Sequence, residues 1–216
     1  MNRDFYFLRH GETDYNVEKR LQGWKDIPLN ETGIAQANEL AKVLSNIQFD
    51  CIYSSPLLRA LKTAEIVSVP HHTQVIVDQG LKEWNLGVFC GKIIRLTEDA
   101  ADTPVDINTD IVYVPKALIS NNDFVPQNGE SYNMFAKRIH DTIFTIAQNT
   151  DAKTVGIATH SGIIRTLIQQ FTNLKYPRSG TPNTGYIKMQ WNGKTFTLPE
   201  IPDWLLNPDN SHIQGR

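Results

Sequence analysis

Four apolar residues in a row, Phe5-Tyr6-Phe7-Leu8, read as a buried strand close to the start of the chain. The run stops at Arg9-His10-Gly11, where a strand's carboxyl end meets a loop. In open α/β sheets ligands bind in the crevice beyond such ends. Asn30 then reads as an N-cap with Glu31 in the first turn. Ile34, Ala37, Leu40, Ala41, Leu44 and Ile47 recur at three- and four-residue steps and predict an amphipathic helix to about Asn46. A short strand follows over 49–53. Ser54-Ser55-Pro56, with Ser at the N-cap and Pro at the first helical position, predicts a helix that carries Arg59 in its first turn. A third, shorter strand covers 75–77.

From Leu96 to Asn128 the periodicity degrades. Prolines at 104, 115 and 126 and many acidic residues mark an insertion that covers something. Gly129-Glu130-Ser131 then starts a helix whose apolar face includes Phe135, Ile139, Ile143 and Ile146. A buried strand over 154–158 ends at Thr159-His160-Ser161-Gly162, and a helix follows at once through Ile163, Ile164, Leu167, Ile168 and Phe171. Residues 186–191 and 195–198, joined through Asn192-Gly193, read as a hairpin. Strands alternating with helices predict a three-layer α/β fold, helices on both faces of a mostly parallel sheet, with an antiparallel strand at one edge. The expected organisation is a single domain over 1–198, with 96–128 as an insertion or lid. A proline-rich tail over 199–216 is docked by Trp204-Leu205-Leu206 and ends in loose residues that include His212.

Composition narrows the classes. Apolar residues make up 40% and charged residues 20%, ordinary for a soluble globular protein, and a formal charge of -2 gives no global attraction to nucleic acid or an anionic membrane. No charged-then-apolar leader opens the chain and no apolar run is long enough to span a bilayer. Cys51 and Cys90 are too few for a disulfide framework and read as buried free thiols, which fits a cytoplasmic setting. His71-His72 has no third ligand at useful spacing and reads as an exposed loop pair, so neither a metal nor a cofactor is expected. His140 reads as structural, and Trp24 and Trp84 as pocket rim or as buried packing. Oligomeric state is open, a homodimer included.

Candidate chemistry gathers at one architectural position. His10 ends the first strand, Arg59 lies just past the second, and His160 ends the late buried strand; parallel topology puts all three on one side of the sheet. Helices begin behind Arg59 and His160, and helix N-termini expose unpaired N–H groups that suit an anion. Two histidines, two arginines and two helix starts in one crevice describe a phosphate site.

Arg9-His10-Gly11-Glu12-Thr13 with Asn16 resembles the opening motif of the histidine phosphatase superfamily, which includes the phosphoglycerate mutases. The resemblance continues through Leu21-Gln22-Gly23-Trp24, Tyr53-Ser54-Ser55-Pro56 with Arg59, Leu81-Lys82-Glu83, Gly129-Glu130-Ser131 and Thr159-His160, in the family's order. Within the superfamily the likeness is to its small, broad-specificity cytoplasmic phosphatases. It implies that His10 attacks phosphorus and carries a phosphohistidine, that Arg9, Arg59 and His160 hold the phosphate oxygens with help from Asn16, and that Glu83 is the general acid. Gln22, Gly23 and Ser161 are assigned to the substrate side. The implied partner is a small phosphorylated metabolite, with no metal and no cofactor. Activity is expected to favour mildly acidic to neutral pH, since Glu83 must carry a proton at the first step.

Two alternatives stay open: mutase-type phosphoryl transfer, and a phosphate- or phosphoprotein-binding module with little turnover. Against the mutase, the only basic residue between Arg95 and Lys137 is Lys116, beside seven acidic residues (Glu98, Asp99, Asp102, Asp106, Asp110, Asp123 and Glu130). Ser161 stands where a glycine is common in the family, and Phe89-Cys90 where Trp-Glu is common. Ser161 either bonds the phosphate or caps the following helix, and capping is the expected role.

Overall fold

The first strand, β1 (Arg3–Arg9), runs through the interior of a six-stranded sheet in the computed structural model, which describes residues 2–100, 102–177 and 179–206. In chain order β1 is followed by α1 (Asp14–Val17), α2 (Glu31–Val43), β2 (Cys51–Ser54), α3 (Leu58–Ser68) and β3 (Val75–Val77). Then come β4 (Ile93–Thr97), β5 (Ile111–Pro115), α4 (Lys116–Ile119), α5 (Tyr132–Asn149) and β6 (Thr154–Thr159). The chain continues with α6 (Ser161–Phe171), β7 (Tyr186–Trp191), β8 (Phe196–Thr197) and α7 (Asp203–Leu206). The sheet order is β3-β2-β6-β1-β7-β8. β1, β2, β3 and β6 are mutually parallel, so the carboxyl ends of β1, β2 and β6 share one rim.

Alternation along β1 explains the layers. Phe5 and Phe7 point into a core shared with Phe135, Ile139 and Ile143 of α5 and Ile163, Ile164 and Leu167 of α6. Tyr6 and Leu8 point the other way, against Leu40 and Leu44 at the end of α2 and Ala64 and Val67 of α3. A strand buried on both faces reads as an unbroken apolar run, as this one does. The expected three-layer fold is therefore found, with one refinement at the edge. β7, antiparallel to β1, lies second from the rim of the sheet, and the two-residue β8 is the edge.

Three local expectations change. The helix carrying Arg59 begins at Leu58, not at Pro56, and its first N–H is capped from a distance by Asp26 Oδ1 at 2.7 Å. Ile34, placed on the apolar stripe of α2, is 40% exposed. Most of all, the insertion is structured. β4 and β5 form a separate parallel pair, Ile93 opposite Ile111. Their inner side makes a small core of Phe89, Val112 and Val114, with Leu21, Leu86 and Phe124 packed against it. The tail is anchored as expected, Trp204 and Leu205 being buried; His212 and the end of the tail lie outside the described residues. Among the described residues no helix is long and apolar enough to cross a membrane.

Candidate active site

The rim formed by β1, β2 and β6 gathers the first three candidates. His10 donates its backbone N–H to Thr159 O at 3.0 Å, so the end of β1 is tied to the end of β6, and the His10 and His160 rings meet edge to face with centroids 5.3 Å apart. Both rings are buried. His10 Nδ1 lies 2.7 Å from Gly11 O. A carbonyl only accepts, so Nδ1 carries the ring proton and Nε2 keeps a bare lone pair. Burial, and then the nearby Arg59 and Arg9 cations, hold the His10 pKa well below the ordinary histidine value. His160 is depressed in the same way, by burial first and then by Arg59, His10 and Arg9. Both rings are neutral at pH 7.

The second histidine is set by Ser55. His160 Nε2 lies 2.8 Å from Ser55 Oγ, which also accepts the Leu57 N–H at 3.3 Å. The hydroxyl has a second lone pair and one proton, so the roles follow the tautomer: when it donates to His160 Nε2, the ring proton sits on Nδ1. That Nδ1 is buried without a partner among the described residues, as are Arg9 Nε and Arg59 Nε. Buried polar nitrogens are ordinarily satisfied, and three left open on residues at one rim suit an acceptor from outside the chain.

Arg59 is fully buried because the Gly23–Lys25 loop wraps its guanidinium: Nη1 donates to Lys25 O and Nη2 to Gly23 O, each at 2.9 Å. Burial pushes its pKa down to about 10, with Glu83 and Asp26 opposing, so it is still a cation at neutral pH. Gly23 sits at φ +50°, where a side chain is strained, and a Cβ there would run into Cys90 Sγ. Gly23 is thus a backbone support for Arg59. Arg9 donates through Nη1 to Thr181 O, leaving Nε turned inward.

Glu83 reaches the rim from a loop. Its Oε1 accepts the Trp84 N–H at 2.8 Å and its Oε2 the Gly162 N–H at 3.1 Å, in the first turn of α6 and two residues past His160. A Cβ on Gly162 would strike the carboxylate, so the glycine permits this approach. The loop is held by Arg138, whose Nη1 donates to Gly80 O at 2.8 Å and to Lys82 O at 2.9 Å, and whose Nη2 pairs with Glu130. Glu130 in turn accepts the Asn85 N–H at 2.9 Å.

Asn16 closes the capping box of α1, and its Oδ1 also accepts from Asn183 Nδ2 at 3.3 Å; the same Nδ2 lies 3.3 Å from His10 O. Gln22 Oε1 is buried and unpaired beside Gly23. Ser161 does not behave as expected. His160 occupies the N-cap position of α6 with no side-chain cap bond, Ser161 is the first helical residue, and its Oγ lies 2.9 Å from the Tyr176 hydroxyl. It caps nothing. Trp24 is a rim residue, its Nε1 donating to Glu83 O at 2.6 Å, whereas Trp84 stacks on Phe135 in the core. Cys51 and Cys90 are free thiols, each only partly buried. His71 is not the solvated residue expected: its ring packs edge-on against Phe49 with Nε2 buried.

Arg138 and Thr181 carried no sequence signal of chemistry, and Ser55 lay in a quoted motif with no role assigned to it. A trace existed for Asn183, since Thr181-Pro182-Asn183-Thr184-Gly185 is turn chemistry directly before the strand that pairs with β1. Among the described residues no three His, Cys, Asp or Glu side chains gather where they could hold a metal. A bare imidazole nitrogen, three buried unpaired nitrogens on Arg9, Arg59 and His160, and a carboxylate held at the first turn of α6 suit a tetrahedral oxyanion and a proton transfer.

The chain is 32% identical to phosphoglycerate mutase-like protein 4 of Arabidopsis thaliana, over 76% of this chain and 68% of that one. It is 26% identical to the uncharacterized phosphatase PhoE of Bacillus subtilis, over 96% and 95%. Its fold resembles the mycobacterial glucosyl-3-phosphoglycerate phosphatase Rv2419c, with a TM-score of 0.69 and 29% identity over 89% of this chain and 92% of that one. Residues 5–203 match the family described as the histidine phosphatase superfamily (branch 1), a span that takes in the crevice, the lobe and both histidines. The chain belongs to that superfamily and is an enzyme of phosphoryl transfer.

Proposed function

We propose that the chain hydrolyses small phosphomonoesters through a phosphohistidine on His10. The His10 Nε2 lone pair attacks phosphorus as the bond to the leaving oxygen breaks, and Glu83 gives that oxygen its proton. Water then attacks phosphorus, Glu83 takes its proton, and the P–N bond breaks to release phosphate. Arg9, Arg59 and His160 hold the three equatorial oxygens, with Asn16 as a further donor. Fixed cations supply the charge neutralisation that a metal would otherwise provide.

The observation that carries this reading is the set of unpaired buried donors, Arg9 Nε, Arg59 Nε and His160 Nδ1, around an imidazole held neutral with Nε2 bare. A module that only bound phosphate would need the donors but not that lone pair. Brief incubation with a phosphomonoester and a quench tests it. Label on the wild type should be stable in alkali and lost in acid, and absent from His10→Ala. Alkali-labile label would place the phosphate on a carboxylate and overturn the reading.

Hydrolysis is favoured over mutase transfer because the acidic 96–128 segment holds few cations for a second anionic group, and Lys116 is already paired with Glu98. The substrate's non-phosphate part is then neutral, apolar or cationic. Mutase turnover of 3-phosphoglycerate outpacing hydrolysis of simple monoesters would reverse this preference.

A further inference from the structure

Among the described residues the segment between α6 and β7 has no helix or strand, yet Thr181 within it is completely buried and Tyr176 is partly buried. One side chain organises it. The Tyr176 hydroxyl accepts the Thr181 N–H at 2.6 Å and lies 2.7 Å from Thr181 Oγ1 and 2.9 Å from Ser161 Oγ. Ser161 O lies 3.4 Å away as a fourth neighbour, so a phenol with one proton and two acceptor sites has no capacity left over. Its ring is held independently, by the Arg165 guanidinium 5.2 Å from its centroid and by Trp204 edge-on at 6.2 Å. Thr181, fixed in this way, presents its carbonyl to Arg9 Nη1.

We propose that Tyr176 is the positioning residue for Arg9 and that Ser161 acts through it. A guanidinium is a rigid planar fork, so anchoring Nη1 decides where Nε–H points. Nε is buried without a partner among the described residues. A shift of a few tenths of an ångström at Thr181 would re-aim it, and phosphoryl transfer is sensitive to such errors because positioning is most of the catalysis. Ser161 now has a function of its own. Where the family commonly has glycine, this chain has a hydroxyl whose partner is Tyr176, so the relay Ser161–Tyr176–Thr181–Arg9 runs from the first turn of α6 to the end of β1. The proposal rests on Arg9 as a phosphate ligand.

The test is a thermodynamic cycle on binding of inorganic phosphate by titration calorimetry, run beside kcat/KM for p-nitrophenyl phosphate. Tyr176→Phe keeps the ring and removes the hydroxyl; phosphate affinity and kcat/KM should each fall about tenfold, the scale of one buried hydrogen bond lost. Ser161→Gly should cost about two- to threefold, since Tyr176 keeps both bonds to Thr181. In an Arg9→Met background Tyr176→Phe should cost nothing further, because its effect passes through Arg9. Losses that simply add would show a general loop effect and overturn the proposal. If Tyr176→Phe does not fold, Ser161→Gly in the same cycle decides by the same criterion. A wild type that binds phosphate without turnover sinks the hydrolase reading and leaves the cycle valid; one that binds no phosphate sinks both.

Discussion

In the crevice beyond β1 and β6, buried polar atoms outnumber their partners: Arg9 Nε, Arg59 Nε, His160 Nδ1 and Gln22 Oε1 all lack one. The lobe built on β4 and β5 shows the reverse. Its charges lie at the surface, with two ion pairs among them, Lys116 with Glu98 and Asp110 with Arg20, and only Thr97 Oγ1 is buried unpaired there, among the described residues. The crevice is walled by strands buried on both faces, while the lobe has a core of three fully enclosed side chains and leaves Leu96, Ile111 and Tyr113 on its outside. A fold stable enough to keep donors unsatisfied can hold a ligand site, since each orphan costs free energy that surrounding packing must offset. The lobe has no such reserve. It meets the site through loops: Gly91 N–H donates to Leu21 O next to the loop that wraps Arg59, and Val88 N–H donates to Gln127 O beyond Glu83.

If this division is right, substitutions on the two sides fail in different ways. Arg59→Met should have the largest effect, lowering kcat/KM for a phosphomonoester about a thousandfold, as expected when a fixed cation is removed from a transition state. Gly23 O and Lys25 O also lose their donor, so the thermal transition should fall with it. A rate loss under about tenfold would take Arg59 out of the phosphate site. In the lobe, Val112→Ala should cost about 2 kcal/mol, the scale for removing buried methyl groups from a core that relaxes only in part. Amide exchange should quicken across Ile93–Thr97 and Ile111–Pro115 and stay slow in β1 and β6, with little change in turnover. Equal loss of protection in both regions would mean that crevice and lobe unfold as one unit.

The same contrast explains what could be read from sequence. The strands and helices around the crevice carry strong periodicity because both faces of the sheet are covered, so Phe5–Leu8, the stripe of α5 and the His160 turn were legible. The placement of His10, Arg59 and His160 around one rim followed from strand ends, whereas Glu83, on a loop, was marked only by the family resemblance. β4 and β5 were not legible. They pair across a stretch with no helix, and their exposed outer face blurs the apolar signal. Partners distant in sequence were hidden for a different reason. Asp26 caps α3 and Tyr176 takes Ser161, and no local rule lets a serine before a helix reveal that its hydroxyl will turn elsewhere.

Acid should separate the two regions by pH window. His10 and His160 have folded-state pKa values below the ordinary 6.5, mainly through burial and then through Arg59. As pH falls through 6.5 the unfolded chain takes up protons before the folded one, so the stability they contribute is complete above that value and is lost as pH falls toward the depressed values. The slope is at most about 1.4 kcal/mol per pH unit for each histidine. Asp110 in the lobe is also depressed, through its hydrogen bond from Arg20, but from 3.8; its contribution is intact above that pH and lost only in stronger acid. Urea titrations between about pH 7.5 and 5 should therefore show a fall in global stability that His160→Asn makes shallower and Asp110→Asn leaves alone. The catalytic counterpart follows from the same sign. With Nε2 bare well below pH 6.5, kcat/KM should not decline between about pH 7 and 6. A decline centred near 6.5 would mean that His10 titrates as a free imidazole and that the crevice does not exclude water as its burial requires.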